Sequence, residues 1–347
     1  MDYRQHRLDY CQFLLSSQIN YTQTYLADHS ERYSHDSLNR FLRLDKVTPR
    51  TLWENVQGDV VVSEQGYVLF DDVVLDKRYS QAARLVRRQW SGNEKRVIYG
   101  IGVVTCVYVN PETEQFWVID FRVYDPEGDD QSKLAHLLEM LEHTHERKNL
   151  PFKTVLMDSW YASMQVLKRI ESLGKIYYCP TKVNRQVDDS DGAQGYRRVD
   201  ALGWSEHEHI QGKIVHLKKM PKGHRVKLFR LVLSTERTEY VVTNDMSQDD
   251  ADVVKRHTGI RWKIEQFHRE AKQTTGLEGC QCRISRALRN HKVPCNAGIA
   301  CAFLVWTQLK RCAAQLDTTV YGIKFSLLDD YMRQQLKHPS IPIALCA

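Results

Sequence analysis

Polar and apolar positions in the first 58 residues follow a helical spacing. The segment YTQTYLADHSERYSHDSLNRFLRL carries apolar side chains three or four positions apart, and Ser34 and Asp36 are well placed to cap a second helix. Two short helices joined by a tight turn are typical of a helix-turn-helix. The second helix would present four polar side chains to a DNA major groove: Ser37, Asn39, Arg40 and Arg43. The alternative is a plain helical hairpin packed on the main domain.

From Gly66 the pattern changes to that of strands. YVLFDDVVL, KRVIYGIGVVTCVYV and QFWVIDFRVYD are β-rich runs, and the turn NPETE separates the last two. A helical segment follows, then the buried strand FKTVLMD, a helix from Trp160 to about Ser172, and the strand KIYYCP. This order predicts an α/β fold, in which helices cover a mixed sheet.

The remaining chain alternates once more between strand and helix patterns. Short strands recur after a polar stretch, and the helical pattern resumes near Gln248 with segments 248–258, about 260–275, and NAGIACAFLVWTQLKRCAAQL. We therefore expect five parts: a helical DNA-binding domain (1–58), a first core part (59–180), a β-rich insertion (181–247), a second core part (248–315) and a tail that is a candidate dimer contact (316–347).

Composition narrows the function classes only slightly. The 347 residues carry a formal net charge of +6, which permits a polyanionic partner without requiring one. The nine cysteines are scattered and odd in number, which favours reduced thiols in a cytoplasm over a disulfide framework. We find no secretory h-region and no apolar run long enough to span a membrane.

Four carboxylates stand out by their context. Asp71 and Asp72 interrupt an apolar strand, Asp158 ends another strand, and Glu265 lies on a predicted helix. Carboxylates at the ends of buried strands are costly unless they are paired or bound to metal, and together these would suit Mg²⁺ or Mn²⁺. Two such ions support phosphodiester displacement, which points to a nucleic-acid substrate. Each residue alone also fits an ordinary strand cap or a solvated helix face.

Cations and aromatic residues near these carboxylates suggest contacts to nucleic acid. Arg261 and Lys272 lie on the same helical face as Glu265 and would hold phosphates. Trp262 would stack on an unpaired base, or alternatively pack helix to sheet. The cationic insertion and RLVRRQW (84–90) are candidate phosphate tracks. A zinc site is a weaker alternative for the residues Cys280, Cys282, His291 and Cys295, because C-x-C is not the usual knuckle spacing.

The segment RWKIEQFHREAK makes a family resemblance specific. It resembles the signature of bacterial insertion-sequence DDE transposases of the insertion-sequence-four superfamily, in which tyrosine, arginine, glutamate and lysine recur with two, three and six residues between them. Arg261, Glu265 and Lys272 match this spacing, and Thr258 stands at the tyrosine position. Four neighbouring residues extend the match: Trp262, Ile264, Phe267 and His268. The offshoot named for insertion sequence seven-hundred-and-one is the most similar group.

Two further blocks carry the same resemblance. FDDVVLDKR is similar to the family's first-aspartate strand, although Val73 replaces the usual threonine, and it makes Asp72 the first catalytic ligand with Asp71 as a rival. VLMDSWYAS resembles the second block and makes Asp158 the second ligand. The resemblance extends from about Gly66 to Leu309 and implies a ribonuclease-H-like core interrupted by the β-rich insertion.

The resemblance also implies an activity. Asp72, Asp158 and Glu265 would hold two Mg²⁺ ions, for which Mn²⁺ would substitute, and the enzyme would cut at terminal inverted repeats and join the freed 3′-hydroxyls to target DNA in a cut-and-paste reaction. The implied DNA contacts are Arg261, Lys272, Trp262, His268 and Thr258, together with the N-terminal helix residues. A homodimer on paired ends, associated with the bacterial nucleoid, is expected. A structure-selective DNA nuclease and a non-catalytic DNA-binding protein derived from a transposase are the alternatives.

Overall fold

The apolar runs after Gly66 form the strands of one large mixed sheet. The structure is a computed structural model that describes residues 3–78, 84–92, 94–234, 237–278 and 297–341. Its strands are β1 (Tyr67–Asp76), β2 (Arg87–Ser91), β3 (Arg96–Val109), β4 (Phe116–Val123), β5 (Thr154–Met157), β6 (Ile176–Thr181), β7 (Gln186–Asp188), β8 (Arg197–Arg198), β9 (Lys213–Leu217), β10 (Val226–Ser234) and β11 (Arg237–Thr243).

Helices lie before, between and after these strands. They are α1 (Arg4–Ser16), α2 (Gln23–Asp28), α3 (His35–Leu44), α4 (Pro49–Val56), α5 (Pro126–Asp129), α6 (Lys133–Glu142), α7 (Met164–Ser172), α8 (Glu206–Gln211), α9 (Ala251–Gly259), α10 (Trp262–Thr274), α11 (Ala297–Gln315), α12 (Val320–Ser326) and α13 (Asp329–Lys337). Within the described ranges, no helix is both long and apolar enough to cross a membrane.

The residues group into two compact units by their internal contacts. The first unit contains Met1–Asn55, Val74–Ile101 and Phe267–Ala347, and the second contains Val56–Val73 and Gly102–Gln266. Because β1, β3, α4 and α10 each run through a limit between these ranges, they contribute residues to both units.

The second unit has the strand order of a ribonuclease-H-like core. The order is β4, β3, β1, β5 and β6; β3 and β4 pair antiparallel, whereas β1, β5 and β6 run parallel. A β-meander followed by two parallel strands that arrive through helical connections gives this order. The α/β fold class predicted from the sequence, with helices at the N-terminal end, is confirmed.

The insertion strands extend the core sheet. β11 pairs antiparallel with β6, and β10, β9, β7 and β8 follow in that order. The first four residues of β10 and the last four of β11 are all buried, so both faces of the sheet are covered at that end. The sheet of the second unit therefore continues without a break from the core into the insertion.

The first unit is built on helices with apolar faces. Ser34 caps α3 by accepting a hydrogen bond from the Ser37 amide, as the sequence predicted. α11 packs on α1, and near it Phe267 meets the rings of Phe303 and Trp306 edge to face. These contacts bury the long apolar run of α11 that the sequence showed.

Three segments differ from the sequence prediction in their secondary structure or bounds. The segment 84–90, for which no strand was predicted, contributes most of β2, which pairs with β3; its contact with phosphates stays a prediction. The helix expected from Trp160 begins at Met164, because Ser163 caps it and the residues after Asp158 form a turn. The helix expected from about residue 260 begins at Trp262.

Candidate active site

Asp71 and Asp158 lie side by side because of the register of two parallel strands. Phe70 of β1 pairs with Met157 of β5, and each aspartate is the next residue along its chain. Neighbouring parallel strands present equivalent positions at the same level of a sheet. The second unit therefore brings two of the predicted carboxylates to one point.

The carboxylate of Asp72 is held by two side chains from other elements. The Tyr161 hydroxyl donates a hydrogen bond to its Oδ1 atom at 2.8 Å, and the Lys133 ammonium donates to its Oδ2 atom at 2.6 Å. Tyr161 is fully buried, and the Asp72 side chain is 20% exposed. Since successive strand residues point to opposite faces, Asp71 and Asp72 meet different surroundings.

Asp71 lies in a crowded, negatively charged environment. Burial raises the pKa of Asp71 to about 7, and repulsion from Asp72 and Asp158 adds to this rise, whereas attraction to the Arg261 guanidinium opposes it. The Asp72 amide also donates to the Asp71 carboxylate at 2.8 Å. Three aspartates thus interact electrostatically, two in the middle of β1 and one just after β5, with Arg261 as a nearby cation.

The glutamate of the predicted signature is paired with its arginine. Arg261 and Glu265 form an ion pair of 2.7 Å, one helical turn apart. Arg261 therefore connects Glu265 to the aspartates, since the same guanidinium acts on Asp71. The sequence placed these two residues on one helical face, and their contact follows from that spacing.

Trp262 directly follows Arg261 in the sequence, and Thr258 lies three residues before Arg261. Trp262 is 53% exposed, which excludes the alternative of a buried core tryptophan. The Thr258 hydroxyl donates to the Lys255 carbonyl at 3.1 Å, a bond within its own helix. A threonine oxygen bonded to the backbone in this way lies closer to the helix than a tyrosine hydroxyl would.

Lys272 and His268 lie further along α10. The Lys272 ammonium pairs with Glu278 at 2.7 Å. His268 is buried and its ring contacts that of Phe267. The predicted contacts of these two side chains with DNA remain predictions.

The predicted DNA-reading face of α3 is exposed. Leu38, Phe41 and Leu42 are buried on one side of this helix, whereas the predicted DNA contacts lie on the exposed side: Asn39, Arg40 and Arg43. The helix is therefore amphipathic, with a polar face open to a ligand.

The donor chemistry of the aspartates fits a hard divalent cation, but the side chains do not form a finished metal cluster. Across the described residues, no group of three or more His, Cys, Asp and Glu side chains is placed to hold a metal ion. Asp72 and Glu265 instead bond to the cations Lys133 and Arg261. Burial is the main cause of the raised pKa of Asp71, and a bound cation would relieve the repulsion from Asp72 and Asp158 that adds to it. The alternative zinc residues 280, 282, 291 and 295 lie outside the described residues.

Lys133 and Tyr161 were missed by the sequence analysis. Tyr161 stands three residues after Asp158 within the quoted block VLMDSWYAS, so its position next to a candidate ligand was a signal. Lys133 begins α6 after an ordinary Ser132 cap, and nothing in its local sequence distinguishes it.

Comparison with known proteins identifies the family. The family model described as "Transposase DDE domain" matches residues 71–292, well over half of the chain. No curated protein matches the chain.

A cryo-EM structure of the piggyBac transposase synaptic complex with hairpin DNA is similar over 98% of this chain and 74% of that one, with 12% identity and a TM-score of 0.45. An endonuclease V crystal structure from Bacillus subtilis covers 77% of this chain and 92% of its own, with 11% identity and a TM-score of 0.25. Both scores are low, so the fold assignment rests on the strand order. The match of the family model shows that this chain belongs to the transposase DDE domain family.

Proposed function

We propose that the chain is a DNA transposase that cuts at the ends of an insertion sequence and joins those ends to target DNA. The register of β1 and β5 carries this proposal, because Asp71 in the middle of β1 lies level with Asp158, which follows β5, within the matched domain. Within the family, we assign the chain to the insertion-sequence-four superfamily and its seven-hundred-and-one offshoot, and we expect it to act at the bacterial nucleoid.

Asp158, Glu265 and one of the two aspartates of β1 are the proposed ligands of two Mg²⁺ ions. The family resemblance favours Asp72, whereas the strand register and the nearby charge of Arg261 favour its rival Asp71. When bound, such ions activate an attacking water or hydroxyl and stabilise the leaving oxygen. The chain itself supplies orientation: Tyr161 and Lys133 fix the carboxylate of Asp72, and each contact leaves further lone pairs on its oxygens.

Arg261 has two proposed roles. Its ion pair with Glu265 fixes the direction of that carboxylate, and its charge partly offsets the repulsion among the aspartates. A guanidinium at this place also suits a phosphate of the DNA strand that is to be cut.

Two further surfaces are proposed to bind DNA. The exposed face of α3, with Asn39, Arg40 and Arg43, suits base and phosphate contacts at the element ends. The turn between β9 and β10 carries Lys218, Lys219 and Lys222, which suit the backbone of a neighbouring stretch. A dimer, with one copy at each element end, is part of this proposal.

The test is cleavage of DNA that contains the protein's own gene and its flanking sequence. We expect cuts at two discrete ends that require Mg²⁺ or Mn²⁺, followed by strand-transfer products. Glu265→Gln should abolish both, whereas Asp252→Asn, which changes an exposed carboxylate on α9, should leave both unchanged. Asp71→Asn and Asp72→Asn, compared side by side, identify the first ligand as the one whose loss abolishes cutting.

Each contrary result points to a different function. Cutting without dependence on element ends, and without joined products, would favour the structure-selective nuclease. DNA binding without cutting, equal in wild type and Glu265→Gln, would favour a non-catalytic DNA-binding protein.

A further inference from the structure

Two aromatic rings stand exposed on one face of the hairpin that β2 and β3 form. Trp90 pairs with Val97 and Arg88 pairs with Tyr99, and residues directly opposite each other in an antiparallel pair point to the same face. We call these four residues the β2–β3 face. Arg88 is exposed, and the exposed fraction is 62% for Trp90, 49% for Val97 and 39% for Tyr99. All four residues belong to the first unit, so the face is complete within that unit.

The opposite face of the hairpin is packed. Ile98 is buried there, and the Gln89 side chain donates a hydrogen bond to the Gly100 carbonyl at 3.0 Å. A Cβ atom at Gly100 would lie 2.5 Å from the Leu75 carbonyl oxygen, so β3 approaches β1 closely at this point. The β2–β3 face is therefore held by packed strands, which fix the direction of its side chains.

The two rings have no role inside the part of the chain that the structure describes. Neither the Trp90 nor the Tyr99 side chain makes a hydrogen bond or a ring contact with a described residue, and Arg88 forms no ion pair there. The rings are diagonal neighbours on adjacent strands, which places them about 7–8 Å apart. Exposed aromatic rings on neighbouring strands are an arrangement on which proteins stack successive unpaired bases.

The surroundings of the β2–β3 face are basic. Residues 84–101 carry five basic side chains and one acidic side chain, Glu94, which pairs with Arg96 at 2.8 Å. Exposed aromatic rings alone would also suit a protein partner, but the surplus of positive charge favours a polyanion. In duplex DNA the bases are stacked inside, where a flat sheet face does not reach them. An unpaired strand offers both its bases to the rings and its phosphates to the arginines.

We propose that the β2–β3 face binds an unpaired stretch of DNA, with bases stacked on Trp90 and Tyr99 and a phosphate bound by Arg88. The source of this ligand rests on the proposed function, because cutting one strand at an element end frees a stretch that can unpair. The inference goes beyond the phosphate contacts predicted for residues 84–90, since it makes unpaired bases the feature that is recognised.

The test measures the Kd of the full chain for fluorescently labelled oligonucleotides by anisotropy, in EDTA so that no metal-dependent cutting occurs. Three probes are compared: an oligothymidylate of about twelve nucleotides, a strand of the same length with abasic sites at its centre, and a duplex of that length. The wild type should bind the oligothymidylate about tenfold more tightly than the abasic strand, because stacked bases add to the affinity.

Substitutions on the β2–β3 face separate stacking from charge. Trp90→Leu and Tyr99→Leu should each remove most of the preference for thymidylate, whereas Trp90→Phe should keep most of it. Arg88→Gln should weaken the binding of both single strands by a similar factor and lower the salt dependence of the Kd. Tyr331→Leu is the matched control, because Tyr331 is 57% exposed in the same unit but lies on α13; it should leave each Kd as in wild type. Circular dichroism checks the folding of each variant.

Equal affinity of the wild type for the thymidylate and abasic strands would overturn the proposal, as would a folded Trp90→Leu variant that keeps the wild-type preference. An equal loss of duplex affinity in Trp90→Leu would also overturn it, because the face would then bind DNA without regard to unpaired bases. If Trp90→Leu does not fold, irradiation of the wild type with an iodouracil-containing strand decides: cross-links at Trp90 or Tyr99 support the proposal, and cross-links only elsewhere overturn it.

These measurements are independent of the cleavage test. Glu265→Gln should bind all three probes like wild type, although it should not cut. A protein that fails to cut its element ends can therefore still show the base preference, and a protein that cuts can lack it, so the two proposals fail separately.

Discussion

The hydrogen bond from Tyr161 to Asp72 is predicted to be one of the strongest single side-chain contacts in the second unit. Tyr161→Phe removes only the hydroxyl and keeps the ring, so no cavity forms. The hydroxyl is fully buried and donates at 2.8 Å to a carboxylate that is itself largely buried. Burial and the adjacent Asp72 raise the pKa of Tyr161, so the hydroxyl stays protonated and remains a donor.

The size of the effect follows from the charge of the acceptor. A hydrogen bond to a charged group contributes about 1.5–3 kcal/mol to stability, against about 1 kcal/mol for a neutral pair. We expect Tyr161→Phe to lower the free energy of unfolding by about 2 kcal/mol. Asp72→Ala removes the acceptor, so Tyr161→Phe should cost much less in that background. The coupling energy of the double-mutant cycle should therefore be about 1.5–3 kcal/mol.

The assay is urea unfolding followed by far-ultraviolet circular dichroism for all four proteins of the cycle. Tyr177→Phe is the matched control, because Tyr177 is also buried but donates to Glu171 at 3.0 Å. Its effect should add to that of Asp72→Ala without coupling. A coupling energy for Tyr161 and Asp72 below about 0.5 kcal/mol would refute the reasoning, because mutations at well-separated sites also deviate from additivity by up to that amount.

Two further predictions concern the stability of the first unit. The buried Lys324 ammonium donates to the carbonyls of Leu14 and Leu15, and burial lowers the pKa of Lys324 to about 8 from 10.5. Between about pH 8 and pH 10.5 the Lys324 side chain is protonated in the unfolded chain but not in the folded chain. The free energy of unfolding of the wild type should therefore rise with pH relative to that of Lys324→Met, by about 3 kcal/mol at most. Lys46→Met, which changes an exposed lysine, should show the same pH dependence of the unfolding free energy as the wild type. If Lys324→Met also showed the wild-type pH dependence, the prediction would be wrong. A Cβ atom at Gly276, whose φ is +65°, would lie 2.2 Å from the Tyr21 ring, whereas Gly174, with φ +66°, has nothing within 4 Å. Gly276→Ala should therefore lower the free energy of unfolding by far more than the roughly 1 kcal/mol of strain expected for Gly174→Ala, and equal losses would be evidence against a clash.

The core strands were predictable because their sequences are strongly apolar and rich in β-branched residues. β1, β3, β4, β5 and β6 all coincide with runs that the sequence indicated, and the position of Asp158 after its strand followed directly. β2 was missed because most of its residues are polar and none of its first four is fully buried, a composition that a cationic surface loop also shows. Its place beside β3 depends on pairing, which local sequence does not encode.

The surroundings of the carboxylates were only partly predictable. Arg261 and Glu265 are four residues apart, so helical geometry alone brings them together. Lys133 and Tyr161 lie 61 and 89 residues from Asp72, so their contacts arise from the way α6 and the turn after β5 pack on β1. Such contacts are set by topology, and a single sequence gives no direct sign of them.

The most direct measurement of the proposed metal chemistry replaces Asp158 with cysteine and compares DNA cleavage in Mg²⁺ and in Mn²⁺. A thiolate is a poor ligand for Mg²⁺ and a better one for the softer Mn²⁺. If Asp158 holds a metal ion, Asp158→Cys should lose cleavage in Mg²⁺ and regain a substantial part of it in Mn²⁺, while Asp252→Cys should cut like wild type in both. Full cleavage by Asp158→Cys in Mg²⁺ would contradict the account, because it would show that the carboxylate at the end of β5 binds no essential metal ion.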